Sequence, residues 1–396
     1  GLGDVYKRQP LDSVFNILNG NHGKCHYAML VLNPKEEINY PTEEMVSMDK
    51  HFYKTVVDNI MNNLLGIELK EEYVNSLLSV LEANLSYIPS STSKRELADI
   101  SLFDHVKITA AVASCVEQYL KEQNETNYRE ILFQNTKTTY EKEMFLLYSM
   151  DISGIQKFIY SISDKGALKG LRARSFYLEI MMEHVIDELL EKLSLSRANL
   201  IYTGGGHCYM LLPNTKEVLQ TLDSYEKQVN QWLLETFDIS LYIACGYAVA
   251  SANNLRNVPE GSYSELYQEI SKMLSEKKAH RYGADVIQYL NKKKRDGERE
   301  CSVCRRVAKV SGTEKRCPIC EALEHMGRDM LHGDYFVILC EPQEYALPLP
   351  GNRYLAVVSE NHIKETMQKE SYVRCYTKNN FYTGKLVTCL LYTSPS

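Results

Sequence analysis

A change of hydrophobic period at Met144 constrains the fold of this chain more than any other feature of its sequence. From there on, short apolar runs typical of buried strands alternate with longer stretches in which apolar residues recur every three or four positions. In chain order, these patterns predict the strand Met144–Asp151, the helices Gly154–Ile162 and Leu178–Leu193, the strands Asn199–Thr203 and His207–Leu212, the helix Lys216–Phe237 and the strand Ile239–Ala250. This is the order of the split βαββαβ unit of the ferredoxin-like fold.

The segments on either side of this unit have other patterns. Residues from about Leu11 to Glu143 are predicted to be helical, because positions such as Tyr53, Val56 and Ile60 follow the spacing of an amphipathic helix. A long helix is predicted for Tyr263–Leu290, and the stretch after residue 334 is predicted to be rich in strands. The predicted fold class is therefore α+β.

Two Cys-x-x-Cys pairs form the most specific local motif. Twelve residues separate Cys301 and Cys304 from Cys317 and Cys320. Two such knuckles supply four thiolates in the tetrahedral geometry that zinc prefers, and four protein ligands leave no open position for catalysis. The motif predicts a structural zinc site. Two disulfides or four unrelated thiols are the alternative.

Composition limits the possible classes of function. The formal net charge of −6 provides no general positive field for nucleic acid, so such contact needs a local basic patch or a partner subunit. The cysteines number 11, four of them clustered, and no secretory signal pattern is present, which favours reduced thiols in the cytoplasm. The sequence has no run of about 18 apolar residues, so no membrane association is predicted.

The predicted hairpin bears on phosphoryl-transfer chemistry. Polymerase and nucleotide-cyclase palms share the βαββαβ order, and their strand and hairpin acids clamp two metal ions about 4 Å apart. Here Asp151 ends the first strand, but the hairpin turn is Gly204-Gly205-Gly206-His207, which contains no acid. This palm alone therefore cannot assemble a two-metal centre.

Nucleotide binding remains possible at the same place. The glycine turn lets backbone approach a ligand closely, and the free N–H groups that follow Ser153 and Gly154 favour phosphate. Lys169, Arg172 and Arg174 can meet the charge of a phosphate or of RNA. The alternative is an ordinary strand-helix turn, a tight hairpin and a solvated basic face.

Several stretches of the chain resemble the large subunit of type III-A CRISPR effector complexes. Asp151-Ile-Ser-Gly-Ile-Gln-Lys-Phe-Ile-Tyr160, Leu168–Leu178 and Tyr202–His207 are similar to the first palm domain of that family. Asp99–Ala111 resembles the end of its N-terminal HD-type nuclease domain, and Tyr376–Asn379 the stretch that leads into its second palm. The paired cysteine knuckles resemble its zinc-bearing linker domain.

The resemblance implies a palm-domain polymerase/cyclase subunit of an antiviral ribonucleoprotein with guide RNA, target RNA and other subunits as partners. It implies synthesis of cyclic oligoadenylate from ATP with Mg²⁺ or Mn²⁺, and cleavage of single-stranded DNA by the HD domain. In that family two palms face each other and each holds one ATP. The metal-binding Gly-Gly-Asp-Asp hairpin belongs to the second palm.

The resemblance also assigns residues. It implies that Asp151, Ser153, Gly154 and the turn Gly204 to His207 line the acceptor-nucleotide half-site. Asp104 and His105 would be a remnant of the nuclease pocket. For this pair the favoured alternative is an acid at a helix N-terminus beside a structural histidine, because the family's paired His-Asp metal ligands would lie before the first residue of this sequence.

On this interpretation the chain is a fragment without its natural termini, inactive by itself. The expected ranges are adapter-derived tails (1–9 and 390–396), a partial HD-type domain (10–143), the first palm (144–255), a helical linker with the zinc site (256–333) and a β-rich segment leading to a missing second palm (334–389). One alternative is a non-catalytic, zinc-stabilised scaffold that binds RNA and protein. A stand-alone diguanylate-type cyclase is disfavoured because the hairpin lacks acids.

Overall fold

The structure, a computed structural model, describes residues 10–18, 23–32, 39–44, 50–68, 70–91, 97–162, 167–293, 298–378 and 383–390. The two expected tails lie outside the described residues, except for Leu390, which is the last residue of a strand. Among the described residues, no helix combines the length and the apolar character that crossing a membrane requires.

Helices and strands are both abundant, and we number them in chain order. The first are β1 (Leu11–Asp12), β2 (His26–Tyr27), α1 (Lys50–Leu64), α2 (Val74–Leu85), α3 (Leu102–Glu122), α4 (Thr136–Glu141), β3 (Phe145–Ser153), α5 (Ile155–Ile159), α6 (Ala167–Lys192), β4 (Leu200–Gly204), β5 (His207–Pro213), α7 (Lys216–Phe237) and β6 (Tyr242–Ala250). They are followed by α8 (Ala252–Leu255), α9 (Ser262–Ala279), α10 (Ala284–Lys292), β7 (Arg299–Glu300), β8 (Val307–Ala308), α11 (Pro318–Asp329), β9 (Tyr335–Leu339), β10 (Leu347–Leu349), β11 (Arg353–Val358), α12 (Glu360–Met367), β12 (Tyr372–Lys378) and β13 (Val387–Leu390). Short 3-10 helices at Val14–Asn16, Glu71–Tyr73 and Arg197–Asn199 and a π-helical turn at Glu130–Gln134 complete the set.

The chain forms two compact units. Unit 1 contains Gly1–Thr109, Asp334–Val337 and Val358–Ser396, and unit 2 contains Ala110–Gly333 and Ile338–Val357. Packing defines these units, whereas sequence patterns define the expected domain ranges, and the two divisions differ. The expected ranges therefore stay predictions.

Unit 2 is built on a four-stranded sheet in the order β4-β5-β3-β6. All three neighbouring pairs are antiparallel, and Asp151 of β3 lies opposite His207 of β5 on one side and Ala244 of β6 on the other. With α6 between β3 and β4 and α7 between β5 and β6, the chain follows the predicted β-α-β-β-α-β order, with α5 added after β3. The end of β3, the start of β5 and the end of β4 thus meet at one edge of the sheet.

The alternation of side chains along β3 explains which helices pack near that edge. Phe145 and Leu147 of β3 belong to a buried core with Ala111 of α3 and with Ile270 and Leu274 of α9. Side chains two residues apart on a strand share a face, so Ser149 and Asp151 also face α9. The face of β3 that packs on α9 is therefore apolar at Phe145 and Leu147 and polar at Ser149 and Asp151. Helix α9 follows β3 only much later in the sequence.

Three predicted helices of unit 2 differ from the observed ones. Helix α5 covers only Ile155–Ile159 of the predicted Gly154–Ile162. Helix α6 begins at Ala167, 11 residues before the predicted Leu178, because its first turns pack closely on α11. A Cβ on Gly327 of α11 would lie 3.1 Å from the backbone oxygen of Lys169 and 3.3 Å from the Cβ of Ala173. The predicted single helix Tyr263–Leu290 is two helices, α9 and α10, separated at His280–Gly283, where the backbone of Gly283 is extended (φ −76°, ψ 173°).

Unit 1 corrects the prediction of a helical N-terminus. Leu11–Asp12 pairs antiparallel with His26–Tyr27, so the chain from Leu11 is not helical throughout. Helices α1 and α2 do form, and their apolar residues surround the buried Met29, Val56 and Ile88. The short β1–β2 pair carries too little period-2 pattern to be recognised from sequence alone.

The C-terminal stretch contains the predicted strands and one unpredicted helix, α12. In unit 1, β12 and β13 pair in parallel, and Ser76 of α2 donates a hydrogen bond of 2.7 Å to the carbonyl oxygen of Gly384. In unit 2, β10 pairs antiparallel with β11, and Pro348 lies within β10.

Candidate functional site

The side chains of Asp151 and His207 meet at the edge of the four-stranded sheet. The Nδ1 of His207 is 3.2 Å from Oδ2 of Asp151, and its Nε2 is 3.2 Å from Oγ of Ser149. Both ring nitrogens therefore have a partner on β3. The imidazole is held in a defined orientation and remains about a quarter exposed, at 25%.

Lys278 of α9 completes this cluster. Its Nζ lies 2.6 Å from Oδ2 of Asp151, the same oxygen that His207 approaches. Burial acts to raise the pKa of Asp151, but the hydrogen bonds from His207 and Lys278 outweigh it, so the pKa of this carboxyl is lowered. The ionised Asp151 carboxylate thus lies between the imidazole of His207 and the ammonium group of Lys278 at this edge of the sheet. Sequence reasoning missed Lys278, because only the packing of α9 on β3 brings it here.

The glycines of the hairpin have different structural roles. Gly205 and Gly206 have φ values of +61° and +80°, which disfavour other residues. A Cβ on Gly206 would lie 2.3 Å from Cδ1 of Ile155, whereas nothing lies within 4 Å of a Cβ on Gly205. Gly206 is therefore needed for packing, and Gly205 is the position where open space lies beside the backbone.

The turn at Ser153 and Gly154 is tighter than expected for a phosphate loop. Gly154 has φ +93°, and a Cβ there would lie 1.9 Å from the carbonyl oxygen of Ser240. The helix α5 that follows has only five residues, so its N-terminus carries a smaller dipole than a long helix would. Close packing against the residues before β6 accounts for this glycine.

A row of aromatic rings leads away from His207. Its ring centroid is 4.7 Å from that of Tyr209, which is 5.1 Å from Tyr267, which is 5.2 Å from Tyr263, each pair edge to face. The hydroxyls of Tyr263 and Tyr267 are 2.9 Å apart. The sequence analysis did not single out these residues. The i, i+4 spacing of Tyr263 and Tyr267 on a helix is the one signal that was available.

The three basic residues predicted to contact phosphate or RNA have different environments. Lys169 is exposed and Arg172 half-buried, and the described residues offer neither an ion-pair partner. Arg174 is buried, 3% exposed, so the alternative of a solvated basic face is wrong for this residue, and its contact with phosphate or RNA stays a prediction. From α6, its side chain reaches Cys320 of α11, one of the four clustered cysteines.

The four cysteines come together as the spacing predicts. Their Sγ atoms all lie within 4.8 Å of one another, and those of Cys304 and Cys317 are 3.8 Å apart. Four sulfurs bound to one zinc at about 2.3 Å lie roughly 3.8 Å from each other. All four cysteines are free, and the spacing exceeds the roughly 2 Å of a disulfide. The cluster therefore fits a tetrahedral metal ion.

Two N–H donors point at sulfur atoms of the cluster. The backbone N–H of Cys317 donates to Sγ of Cys301 over 3.3 Å, and Nη2 of Arg174 donates to Sγ of Cys320 over 3.1 Å. Such donors stabilise negative sulfur, the form that binds metal.

Asp104 and His105 lie in the first turn of α3, in unit 1. Oγ of Ser101 donates to Oδ2 of Asp104 over 2.7 Å and accepts from the backbone N–H of Asp104 over 3.0 Å. The second bond is the N-cap bond of a helix start, and the first ties the Asp104 carboxylate to the capping hydroxyl. The cysteine cluster is the metal-binding group found in the described part of the chain, so the nuclease assignment of Asp104 and His105 stays a prediction.

Comparison with known proteins places this geometry in a family. The family described as Csm1 subunit domain B matches residues 144–293, which cover the four-stranded sheet, α9 and α10. A relative from Mycobacterium tuberculosis, described as the CRISPR system single-strand-specific deoxyribonuclease Cas10/Csm1 (subtype III-A), is 40% identical over 392 residues, 95% of this chain and 48% of the relative. One of the same description from Enterococcus italicus is 40% identical over 391 residues, 97% of this chain and 51% of the relative.

Solved structures agree with this fold. The apo Csm1–Csm4 cassette is 24% identical with a TM-score of 0.70, covering 97% of this chain and 46% of that chain. The cassette in complex with one ATP is 23% identical with a TM-score of 0.71, covering 97% and 47%. The chain spans about half the length of the curated relatives it matches. It belongs to the Cas10/Csm1 family of subtype III-A CRISPR systems.

Proposed function

We propose that the chain is part of the large subunit of a type III-A RNA-guided effector complex and that its palm holds one ATP at the sheet edge around Asp151 and His207. The observation that carries this proposal is the Asp151–His207–Lys278 cluster beside the open backbone of Gly205. Solved relatives that bind ATP and cA4 support it.

The chemistry of the cluster suits binding better than phosphoryl transfer. Lys278 offers positive charge to a triphosphate, His207 can donate a ring N–H to it, and the backbone at Gly205 can be approached closely. Asp151 is the acid of this cluster, and it is already paired with Lys278. The two-metal reaction needs further acids, which we assign to the second palm of the intact protein. Mg²⁺ or Mn²⁺ would enter with the triphosphate.

Cyclic oligoadenylate synthesis and cleavage of single-stranded DNA are proposed for the intact protein. The names of the relatives support the nuclease, and the cassette in complex with cA4 supports the cyclase. We propose that guide RNA, target RNA and the other subunits of the complex are its partners in the cytoplasm, where the four thiols would stay reduced. The structural surroundings of Asp104 favour helix capping over catalysis in this chain.

The alternative is a zinc-stabilised scaffold that contacts RNA and partner subunits without binding nucleotide. The solved cassettes in which a Csm1 chain associates with Csm4 support a partner-binding role. A saturable ATP affinity separates the two functions, because a pure scaffold gives none. Equilibrium titration of the zinc-loaded chain with a fluorescent ATP analogue, with ATP as competitor, measures it directly.

His207→Ala tests the site itself. We expect the ATP affinity to fall by about tenfold or more, since a hydrogen bond to a charged group is worth about 1.5–3 kcal/mol. The loss of two hydrogen bonds to β3 should also lower the free energy of unfolding by about 1–3 kcal/mol, which leaves the chain folded. His362→Ala, at an exposed histidine of α12, is the matched control and should bind ATP like the wild type. An unchanged affinity of the His207 variant would remove this residue from the site.

A further inference from the structure

Arg174 is a buried cation whose contacts join two parts of unit 2. Its Nη1 donates to the carbonyl oxygen of Phe158 over 3.3 Å and its Nη2 to Sγ of Cys320 over 3.1 Å. Its guanidinium also lies over the Phe158 ring, 5.0 Å from the centroid. Phe158 belongs to α5, directly after the Ser153–Gly154 turn, and Cys320 to α11.

The buried positive charge of Arg174 needs a negatively charged partner. A buried cation requires a nearby anion, and no carboxylate within the described ranges forms an ion pair with this side chain. Four thiolates around a divalent metal carry a net charge of about −2. With a metal bound, the cluster would therefore be the anion that compensates Arg174.

A second arginine acts at the same boundary. Arg306 follows Cys304 in the knuckle, lies over the ring of Phe237 at 5.3 Å and donates to the carbonyl oxygen of Thr236 at the end of α7. The rings of Phe237 and Phe158 are 5.5 Å apart, edge to face. The two arginines thus bracket one aromatic pair, and only Arg174 continues to the backbone of α5.

The Phe158 carbonyl lies near the C-terminus of a single-turn helix. It also accepts from the backbone N–H of Ser161 over 3.3 Å. Cations near a helix C-terminus satisfy its last carbonyls and interact favourably with its dipole. A helix of five residues has little stability of its own. Its order therefore depends on tertiary contacts, of which the hydrogen bond from Arg174 is one.

We propose that Arg174 is a positioning residue that couples the metal-bound state of the four-cysteine cluster to the order of α5 and the Ser153–Gly154 turn. Without the metal, Sγ of Cys320 would no longer be fixed where it accepts from Nη2 of Arg174, and the guanidinium would lose the orientation in which Nη1 donates to the Phe158 carbonyl. The zinc site would thereby control the order of one wall of the palm, in addition to stabilising its own knuckles. This inference rests on the metal assignment and not on ATP binding.

Arg174→Gln tests the coupling in the full chain, with Arg328→Gln, an exposed arginine of α11, as the matched control. We expect zinc transfer to a chelator to be about tenfold faster in the Arg174 variant, because partners of metal ligands typically contribute 10–100-fold to metal affinity. The sulfur-to-cobalt charge-transfer band of the Co²⁺-loaded protein should shift. Amide hydrogen exchange at residues 155–161 should also be about tenfold faster, with β3 unchanged. The Arg328 variant should match the wild type in all three.

Two outcomes would overturn the proposal. Faster zinc transfer with unchanged exchange in α5 would show that the cluster and the helix are independent. Faster exchange in α5 with an unchanged cobalt spectrum and unchanged zinc transfer would show that Cys320 is not the partner that matters. If Arg174→Gln fails to fold, the wild-type chain stripped of zinc gives the same test: exchange in α5 must increase before exchange in β3. An α5 that stays protected in the metal-free chain contradicts the coupling.

Discussion

At the scale of single residues, the glycines near the sheet edge differ sharply in what their backbone requires. Gly154 and Gly205 both have positive φ, but a Cβ on Gly154 would overlap the carbonyl oxygen of Ser240, and one on Gly205 would meet nothing. Conformation alone penalises an alanine with left-handed backbone by about 1–2 kcal/mol. Overlap with backbone adds to that penalty, because backbone cannot rotate away.

Gly154→Ala should therefore lower the free energy of unfolding by about 3 kcal/mol or more, and Gly205→Ala by only about 1–2 kcal/mol. Urea unfolding of the two variants, followed by far-UV circular dichroism, compares them in one protein. Equal losses would mean that the close contact with Ser240 does not persist in solution.

The charge cluster at the sheet edge predicts a pH dependence. The pKa of Asp151 is lowered from an ordinary 3.8, since the hydrogen bonds from His207 and Lys278 outweigh the effect of burial. A carboxyl with a depressed pKa in the folded state stabilises the fold above its unfolded pKa, and this contribution is lost as the pH falls through the folded value. The window therefore lies below about pH 5.

Asp151→Asn removes that contribution. The variant should be less stable than the wild type near pH 7, and the difference should shrink as the pH falls toward 3. Urea midpoints measured at intervals between these pH values check it. Asp223→Asn, in an exposed i, i+4 pair with Lys227, is the control and should give a small, nearly constant difference. A gap between Asp151→Asn and wild type that widens on acidification would contradict the assigned sign.

At the scale of elements, the cysteine cluster determines where α11 begins. Cys317 is the N-cap of α11, Pro318 occupies its first turn, and Cys320 follows within that turn. A metal held by these cysteines would therefore fix the start of the helix that packs on α6. Serine is a better N-cap than most residues, so replacing Cys317 by serine separates the metal from the cap.

Cys317→Ser should lose stoichiometric zinc and lower the thermal midpoint by roughly 6–12 °C, which corresponds to about 3 kcal/mol for a unit of this size. Zinc content by elemental analysis and a thermal scan measure the two effects. Cys340→Ser, at an exposed cysteine outside the cluster, should change neither. One bound zinc per chain in the Cys317 variant would contradict a four-thiolate site.

At the scale of the whole molecule, the chain spans about half the length of the curated relatives it matches. Its described palm brings one acid, Asp151, to the sheet edge, where a two-metal reaction needs several. We therefore expect binding of ATP without turnover: incubation with ATP and Mg²⁺ or Mn²⁺ should yield no cyclic oligoadenylate by mass spectrometry. Product formed by this chain alone would show that it supplies its own acids.

Sequencing the parent DNA for a downstream Gly-Gly-Asp-Asp hairpin and an upstream His-Asp pair is the complementary check.

The order of the β-α-β-β-α-β elements and the four-cysteine cluster were determined by local sequence. The hydrophobic periods of strands and helices are properties of consecutive residues. Two short Cys-x-x-Cys segments need only one chain reversal to bring their four sulfur atoms within 4.8 Å of one another. Asp151 and His207 also followed from sequence, because a hairpin and its neighbouring strand place their ends together. These features depend on contacts close in sequence or on a common supersecondary unit.

The tertiary structure alone decided the rest. Lys278 reaches Asp151 because α9 packs on the face of β3 that carries Phe145 and Leu147, a contact that no local pattern specifies. Arg174 has the sequence of an exposed basic residue, yet α11 covers it and gives it the Cys320 sulfur as a partner. A charged side chain changes role when burial removes its water, and burial is a property of the packed molecule.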